Sequence, residues 1–229
     1  MKKTSEILLS IFILIEILIY IYFVNGDITD NYDTKIIKYI SIVLIITYTL
    51  INSLLNRKFN LYFSLGLLFT LFADTFLLLI DNYYEIGLIC FNITQTCYFL
   101  GLKDKINKVF ISQAFLRITI FISCLIIGVV KEDLVTFLSL SYISFLILNI
   151  LSLVFFSKKK KEEIFLLIGL ILFLLCDISV GLNNICYSLD ISYKNKQLIT
   201  SITDVTMWLF YLPSQVMICI YTNHLFKIK

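Results

Sequence analysis

Long apolar runs alternate with short polar breaks along the whole chain. A helix crosses a bilayer with about 20 apolar residues, and the runs have that length. They cover residues 6–25, 36–55, 60–80, 84–102, 108–130, 134–156, 163–183 and 199–226. In lipid a helix satisfies its own backbone, so the many Ile, Phe and Tyr residues do not argue for strands. The pattern predicts an all-α polytopic membrane protein, a bundle of about eight transmembrane helices.

The composition agrees with burial in a bilayer. The 229 residues are 59% hydrophobic, with a mean hydropathy of +0.93, and a soluble domain of this size cannot hide that much apolar surface. The first run is too long for the core of a cleaved signal peptide, so it is expected to remain as a helix. No break is long enough for a soluble insertion. We therefore expect a single transmembrane helical domain over residues 1–229, in the cell membrane.

The basic residues indicate the orientation of the bundle. A cytoplasmic N-terminus places thirteen Lys and Arg residues of the breaks and ends inside and five outside. This asymmetry follows the positive-inside rule and predicts that both termini are cytoplasmic. The net charge of +3 is modest and the basic residues form no continuous face, so no nucleic-acid partner is expected.

Metal, cofactor and nucleotide sites have no support in the sequence. The six cysteines show no CxxC pair and no nearby histidine, which favours small apolar filling residues over ligands or disulfides. There is no phosphate-binding glycine loop, no GxSxG and no HExxH. We expect no metal and no cofactor, so any chemistry must come from carboxyls, amides and phenols.

Two aspartates lie within apolar runs at the same depth. Asp74 ends a segment that begins at Gly66, and Asp177 ends a similar segment that begins at Gly169. Each aspartate follows a basic residue by sixteen positions, or about 24 Å of helix, in the half of the bilayer away from the cytoplasm. An offset of four helices preserves orientation, as a parallel duplication would, although leucine-rich helices also match by chance.

A charged carboxyl inside a bilayer costs about 2.5–3.5 kcal/mol, so both groups should face the bundle interior. In a shared cavity two carboxylates repel, and one keeps its proton, giving an acid beside a base. We expect them within roughly 10 Å of one another. The alternative is structural: a helix-packing hydrogen bond, or an ion pair with Lys38 or Arg117. Of the other buried charges, Arg117 is expected to compensate a carboxylate or to reach the membrane surface, and Glu16 to pack or pair.

Two further helices carry polar groups at helical spacing. In the last run Asp204, Tyr211 and Gln215 share a face, and Pro213 should leave one backbone carbonyl without its helical donor. In the fourth run Gln95 and Tyr98 can share a face.

At these residues the chain resembles the YhhN family of membrane proteins, which includes lysoplasmalogenases. The family patterns G-L-L-F-S-L-x-G-D and G-x-x-x-F-x-x-S-D resemble the segments that end at Asp74 and Asp177. The family pattern F-x-x-x-H-x-x-Y corresponds to Phe91, Gln95 and Tyr98, and the pattern Y-x-P/A-x-Q corresponds to Tyr211, Pro213 and Gln215. A lysine early in the family's second helix corresponds to Lys38. Gln95 stands in place of the family histidine. The similarity covers almost the whole chain.

The resemblance implies hydrolysis of the vinyl ether bond of a lysophospholipid, a lysoplasmalogen, to a fatty aldehyde and a glycerophospho-ethanolamine or -choline. Our hypothesis gives Asp74 and Asp177 the acid and base roles. Lys38 would meet the headgroup phosphate, and Gln95, Tyr98, Tyr211 and Gln215 would bind the substrate or water. The alternatives are a non-enzymatic lipid-binding protein and a proton-coupled transporter that uses the same buried carboxyls.

Overall fold

The computed structural model describes residues 2–29, 33–55, 60–158, 160–188 and 193–222. These ranges are helical and contain no strand, which confirms the predicted fold class. The bounds of the eight α-helices are α1 Lys2–Thr29, α2 Lys35–Leu55, α3 Leu61–Asp74, α4 Tyr84–Gly101, α5 Phe110–Lys131, α6 Leu134–Phe156, α7 Lys161–Ser188 and α8 Tyr193–Thr222. The chain is a multi-pass membrane protein.

Seven helices in these ranges are long and apolar enough to cross a membrane by themselves, and α4 is the exception. Its second half carries Asn92, Thr94, Gln95 and Thr96, which lower its hydropathy. The other helices shield this polarity, since Thr94 and Gln95 are fully buried. Thr94 and Gln95 therefore meet protein and not lipid, whereas Thr96 on the same helix is exposed.

Two glycines allow close helix pairs. α3 packs most extensively on α4, and α7 on α8. A Cβ on Gly66 would lie 2.3 Å from the Tyr98 ring of α4, and one on Gly169 would lie 3.2 Å from the Ser214 carbonyl oxygen of α8. These contacts repeat with the four-helix offset seen in the sequence, which agrees with a parallel duplication.

The predicted third helix changes its geometry at Asp74. α3 ends there, and residues Thr75–Ile80 continue as a π-helix, whose turns are wider than those of an α-helix. The Thr75 hydroxyl donates to the Leu71 carbonyl oxygen, and it shares a hydrogen bond of 3.0 Å with the Tyr39 hydroxyl of α2. Asp81 then ends the segment with φ of 53°. The run 60–80 is helical, as predicted, but the sequence did not indicate the change from α-helix to π-helix. π-Helical turns that continue an α-helix are often found at functional sites.

The backbone carbonyl that Pro213 leaves free is satisfied from another helix. Proline lacks the N–H that would donate to the carbonyl of Leu209, four residues earlier. The Tyr20 hydroxyl of α1 donates to that oxygen at 3.1 Å instead. This bond confirms the predicted free carbonyl and ties α1 to α8.

The first polar break was predicted to end α1, and this prediction is wrong. Asn25, Gly26 and Asp27 lie inside the helix, which continues to Thr29. The Asp27 carboxylate needs no exposed loop because Lys38 of α2 neutralises it. A buried partner therefore lets the helix extend through the polar positions.

Candidate functional site

Asp74 lies at the last turn of α3, enclosed by the bundle and only 5% exposed. The Tyr211 hydroxyl of α8 donates a hydrogen bond of 2.7 Å to its Oδ2 atom. Tyr211 was predicted to belong to the site, and the structure places it directly on one of the two carboxyls.

Asp177 lies on α7 and is less enclosed than Asp74. The Tyr142 hydroxyl of α6 donates to its Oδ2 atom at 2.6 Å. Each of the two aspartates thus accepts a short hydrogen bond from a phenol on a different helix. An ion pair of either aspartate with Lys38 or Arg117, one of the alternatives from the sequence, is absent from the described part of the chain.

Phe173, four residues before Asp177 on α7, connects the two aspartate–tyrosine pairs. Its ring contacts the rings of both Tyr211 and Tyr142. Cys176, which directly precedes Asp177, is buried. The two aspartate–tyrosine pairs therefore belong to one cluster at the junction of α3, α6, α7 and α8.

Aromatic rings enclose this cluster. The Phe173 ring lies 5.5 Å from that of Tyr211 and 6.3 Å from that of Tyr142, so it bridges the two phenols. Phe91 of α4 stacks on Tyr142 at 5.3 Å, and Trp208 meets the Tyr211 ring edge-on at 5.3 Å. Aromatic rings therefore pack against both phenols that donate to the carboxyls.

Lys38 lies toward the end of the bundle at which α2 begins, and it is paired with Asp27. Its Nζ atom is 2.7 Å from Asp27 Oδ2, and both side chains are largely buried. The same ammonium lies 5.0 Å from the Trp208 ring centre. Because Trp208 also contacts Tyr211, only one side chain separates Lys38 from the donor to Asp74.

The structure does not join Gln95 to the aspartates. Its Oε1 atom and its backbone oxygen each accept a hydrogen bond of 3.0 Å from the Asn149 amide of α6. Its Nε2 atom has no acceptor among the described residues. The group that replaces the family histidine is thus directed into a separate amide network.

Tyr98 packs against α3. Its ring stacks on Phe63 at 5.0 Å and fills the space beside Gly66.

On α8, the predicted trio divides. Tyr211 and Gln215 are buried, and Gln215 donates to the Ser214 hydroxyl at 3.2 Å. Asp204 is exposed and accepts a hydrogen bond of 2.7 Å from the Asn183 amide. Asp204 therefore pairs with Asn183 between α7 and α8, and no hydrogen bond found in the described residues links it to either aspartate of the cluster.

Arg117 pairs with no carboxylate of the described residues and is buried instead of reaching the surface, so neither expectation for it is met. Its guanidinium donates to the amide oxygens of Gln113 and Asn149 inside the bundle. Glu16 does pair, because it accepts a short hydrogen bond from the Ser41 hydroxyl.

Sequence reasoning missed Tyr142. A tyrosine in an apolar run is usually a packing or interface residue, so it carries little signal alone. Two observations single it out afterwards. It shares a helical face with Asn149, seven residues on, and it stands 103 positions after Tyr39, the same offset that separates Asp74 from Asp177.

The candidate site consists of carboxyl, phenol and aromatic side chains. No group of three His, Cys, Asp or Glu residues suited to a metal ion occurs in the described ranges. The six cysteines form no disulfide in the described residues and are buried, as predicted for filling residues. The shared cavity expected for the two carboxyls stays a prediction.

Comparison with known proteins gives one match. A family model described as the YhhN family matches residues 34–220, which include both aspartates and every predicted site residue. Neither a curated protein nor a solved structure matches the chain.

Proposed function

The chain belongs to the YhhN family, and on this premise we propose that it is a lysoplasmalogenase-like hydrolase of the cell membrane. Its substrate would be a lysophospholipid with a vinyl ether bond at the first glycerol carbon. The products would be a fatty aldehyde and a glycerophospho-ethanolamine or -choline. The observation that carries the proposal is the pair of intramembrane carboxyls, each held by a phenol, with the Phe173 ring against both phenols.

The reaction needs an acid and a base close together. An acid protonates the second carbon of the vinyl ether, which makes an oxocarbenium ion at the first carbon. Water adds to that carbon and gives up a proton to the base, forming a hemiacetal. The hemiacetal then breaks its bond to the glycerol oxygen, which takes a proton, and the aldehyde is released. One water is consumed, and no oxidant, reductant or metal is required.

Asp74 and Asp177 would share these roles. One supplies the proton to carbon, and the other stabilises the oxocarbenium ion and activates water, as two carboxyls do in glycosidases. The phenols bind Oδ2 of each carboxyl, so we assign proton exchange to Oδ1. The tyrosines would fix the carboxyl orientations, which is a positioning role.

The surroundings suit a lipid substrate. The faces of Phe173 and Tyr142 can stabilise a developing cation, and they exclude bulk water from a reactive intermediate. Asp177 is the less enclosed carboxyl, so we assign the entry of the alkenyl chain to its side of the cluster.

Different side chains would hold the headgroup of the substrate and position the substrate or the attacking water. Lys38 would hold the headgroup phosphate while remaining close to Asp27. Tyr98 and Gln215 would position substrate or water. The proposal gives Gln95 an indirect part through Asn149.

The test is turnover by purified protein in lipid nanodiscs. Three lysolipids that differ only in their first chain should be compared: vinyl ether, saturated alkyl ether and acyl ester. We expect aldehyde from the vinyl ether alone, because only its double bond can be protonated to an oxocarbenium ion. Fatty acid from the ester would identify an esterase. Binding of all three without product, or proton-dependent flux of unchanged lipid into liposomes, would contradict hydrolysis and support the lipid-binding or transport alternatives.

A further inference from the structure

A groove on the membrane-facing side of the bundle lies between α4, α5 and α6, away from the aspartate cluster. It has two adjoining sections of about 320 Å³ each, which share Thr96, Phe121 and Phe145. One section extends to Leu100 and Ala114, near the cytoplasmic ends predicted for α4 and α5. The other extends to Ile89 and Leu138. Its lining is almost entirely apolar, with one charged residue, Arg117.

Arg117 is a cation without a counter-charge in the part of the chain that the structure describes. It is 3% exposed, and each acceptor found for it there is neutral. Nη1 donates to the Gln113 carbonyl oxygen and side-chain oxygen at 3.1 and 3.0 Å, and Nη2 donates to Asn149 Oδ1 at 2.9 Å. A further contact, from Nη2 to the Ser152 hydroxyl, is long at 3.5 Å. No ion pair of Arg117 with a carboxylate occurs among the described residues.

One edge of the guanidinium lacks a full set of acceptors. Its Nε atom is buried and has no acceptor in the described ranges. A guanidinium binds phosphate through two neighbouring N–H groups, and Nε forms such a pair with the Nη2 hydrogen whose contact with Ser152 is long. A buried charge that lacks a partner in a membrane segment is costly, so it favours an anion at this edge.

The depth of Arg117 is suited to a lipid headgroup. It lies seven residues after Phe110, the first residue of α5, which corresponds to about 10 Å of helix. The loop before α5 carries the basic residues that predict the cytoplasmic side. Arg117 is therefore in the cytoplasmic half of the membrane, whereas the two aspartates are predicted in the opposite half.

A second cation lies near the cytoplasmic mouth of the groove. The Arg117 guanidinium covers the Phe99 ring at 3.9 Å, Phe99 stacks on Phe110 at 4.7 Å, and the Lys103 ammonium lies 5.9 Å from the Phe110 ring centre. Lys103 is exposed, and none of the ion pairs found in the described residues involves it. A positively charged side chain therefore lies at each end of this stacked pair of rings.

We propose that this groove binds a phospholipid of net negative charge from the cytoplasmic leaflet. The lipid phosphate binds the Nε and Nη2 edge of Arg117, Lys103 attracts the headgroup, and one acyl chain lies along Phe121 and Phe145. Charge complementarity favours an anionic lipid over a zwitterionic one, because a choline or ethanolamine group brings a positive charge toward two cations. This site is separate from the aspartate cluster and holds whether or not the protein is a hydrolase.

Quenching of a tryptophan in the groove tests the proposal. Trp208 is the only tryptophan of the chain, so Trp208→Phe with Phe121→Trp places a single reporter in the groove. The protein is reconstituted in phosphatidylcholine with brominated phosphatidylglycerol or brominated phosphatidylcholine, and quenching gives their relative affinities. We expect the anionic lipid to be preferred by about ten-fold. The control reporter is Ile147→Trp, since Ile147 is exposed on α6 but lines neither section of the groove. It should show a ratio of about one.

Substitutions then identify the charges. Arg117→Gln should abolish the preference at the Phe121→Trp reporter, and Arg117→Lys should retain part of it, because the charge remains while the planar fork is lost. Lys103→Gln changes an exposed loop side chain and should reduce the preference about two- to three-fold without disturbing the buried network. Equal quenching at both reporters, or a preference that survives both Arg117→Gln and Lys103→Gln, would overturn the proposal. Displacement of the brominated lipid by inorganic phosphate would show that the site takes a soluble anion instead.

Discussion

The Tyr142 hydroxyl donates a hydrogen bond of 2.6 Å to the Asp177 carboxyl, and this bond joins α6 to α7. The Tyr211 bond to Asp74 repeats this arrangement on α8 and α3. A phenol that binds a carboxyl in an apolar environment fixes its orientation and stabilises its charged form. The two bonds therefore fix the orientation of each carboxyl through its Oδ2 atom.

Removal of either phenolic hydroxyl should slow the reaction. Tyr142→Phe and Tyr211→Phe each lose a hydrogen bond to a group that is charged during catalysis, worth about 1.5–3 kcal/mol. We expect kcat/KM for the vinyl ether lysolipid to fall by about 10- to 100-fold in each variant. Tyr62→Phe is the matched control, since Tyr62 is exposed on α3. Activity equal to that of Tyr62→Phe in both variants would exclude a positioning role.

The Lys38–Asp27 pair should contribute to both stability and substrate affinity. Lys38→Met leaves the Asp27 carboxylate buried without its partner, which costs about 3–5 kcal/mol, so the thermal melting temperature should fall. The double variant Asp27→Asn/Lys38→Met should regain most of that loss. If Lys38 also binds the phosphate, KM stays raised in the stable double variant while kcat changes little. A normal KM in the double variant would limit Lys38 to a structural role.

For Gln95, the family resemblance and the geometry of the structure predict different roles. The resemblance implies a role in substrate binding, whereas the structure directs the Gln95 side chain to Asn149. We expect Gln95→Ala to lower the melting temperature, because the buried Asn149 amide loses an acceptor, while kcat/KM changes less than about ten-fold. A larger kinetic loss at unchanged stability would show that Gln95 reaches the substrate directly.

Two glycines offer a matched pair for the helix packing. Gly66→Ala would place a methyl group 2.3 Å from the Tyr98 ring, whereas Gly181→Ala meets nothing within 4 Å. Overpacking of this kind costs about 1–3 kcal/mol. Thermal melting in detergent should show a clear loss for Gly66→Ala and no loss for Gly181→Ala, which removes a flexible residue from a helix. Equal melting temperatures would mean that α3 and α4 are not packed as closely as described.

A double-mutant cycle can test the bond between Tyr20 and the carbonyl freed by Pro213. Tyr20→Phe should cost about 0.5–1.5 kcal/mol in the native protein, because the Leu209 oxygen loses its donor. In a Pro213→Ala background the helix supplies its own donor, so the same substitution should cost less. An unchanged cost in that background would show that the tyrosine acts through ring packing alone.

The helices and the fold class followed from run length and hydropathy, because a bilayer requires long apolar segments. The end of α1 could not be predicted in this way, because Asp27 is accommodated in the helix by its pairing with Lys38, which no local pattern reveals. The Asn149 partner of Arg117 was also hidden, because Asn149 lies on another helix, whereas Gln113 lies four residues before Arg117 on α5.

The candidate site was predicted in part. The cost of a charge in lipid identified Asp74 and Asp177, and helical spacing identified Tyr211. Tyr142 was hidden because a phenol in an apolar run is ordinary until a tertiary contact brings a carboxyl to its hydroxyl. Helix spacing alone likewise could not show that Asp204 pairs with Asn183 between α7 and α8.

The central claim is that Asp74 and Asp177 protonate a vinyl ether carbon and direct water to the resulting cation. The most direct measurement is turnover of the vinyl ether lysolipid in heavy water, with the released aldehyde reduced at once and weighed by mass spectrometry. We predict one deuterium on the second carbon of the aldehyde with wild-type protein. Asp74→Asn and Asp177→Asn should each lose at least about 100-fold in rate. Turnover that survives both substitutions, or aldehyde without that deuterium, would contradict the claim.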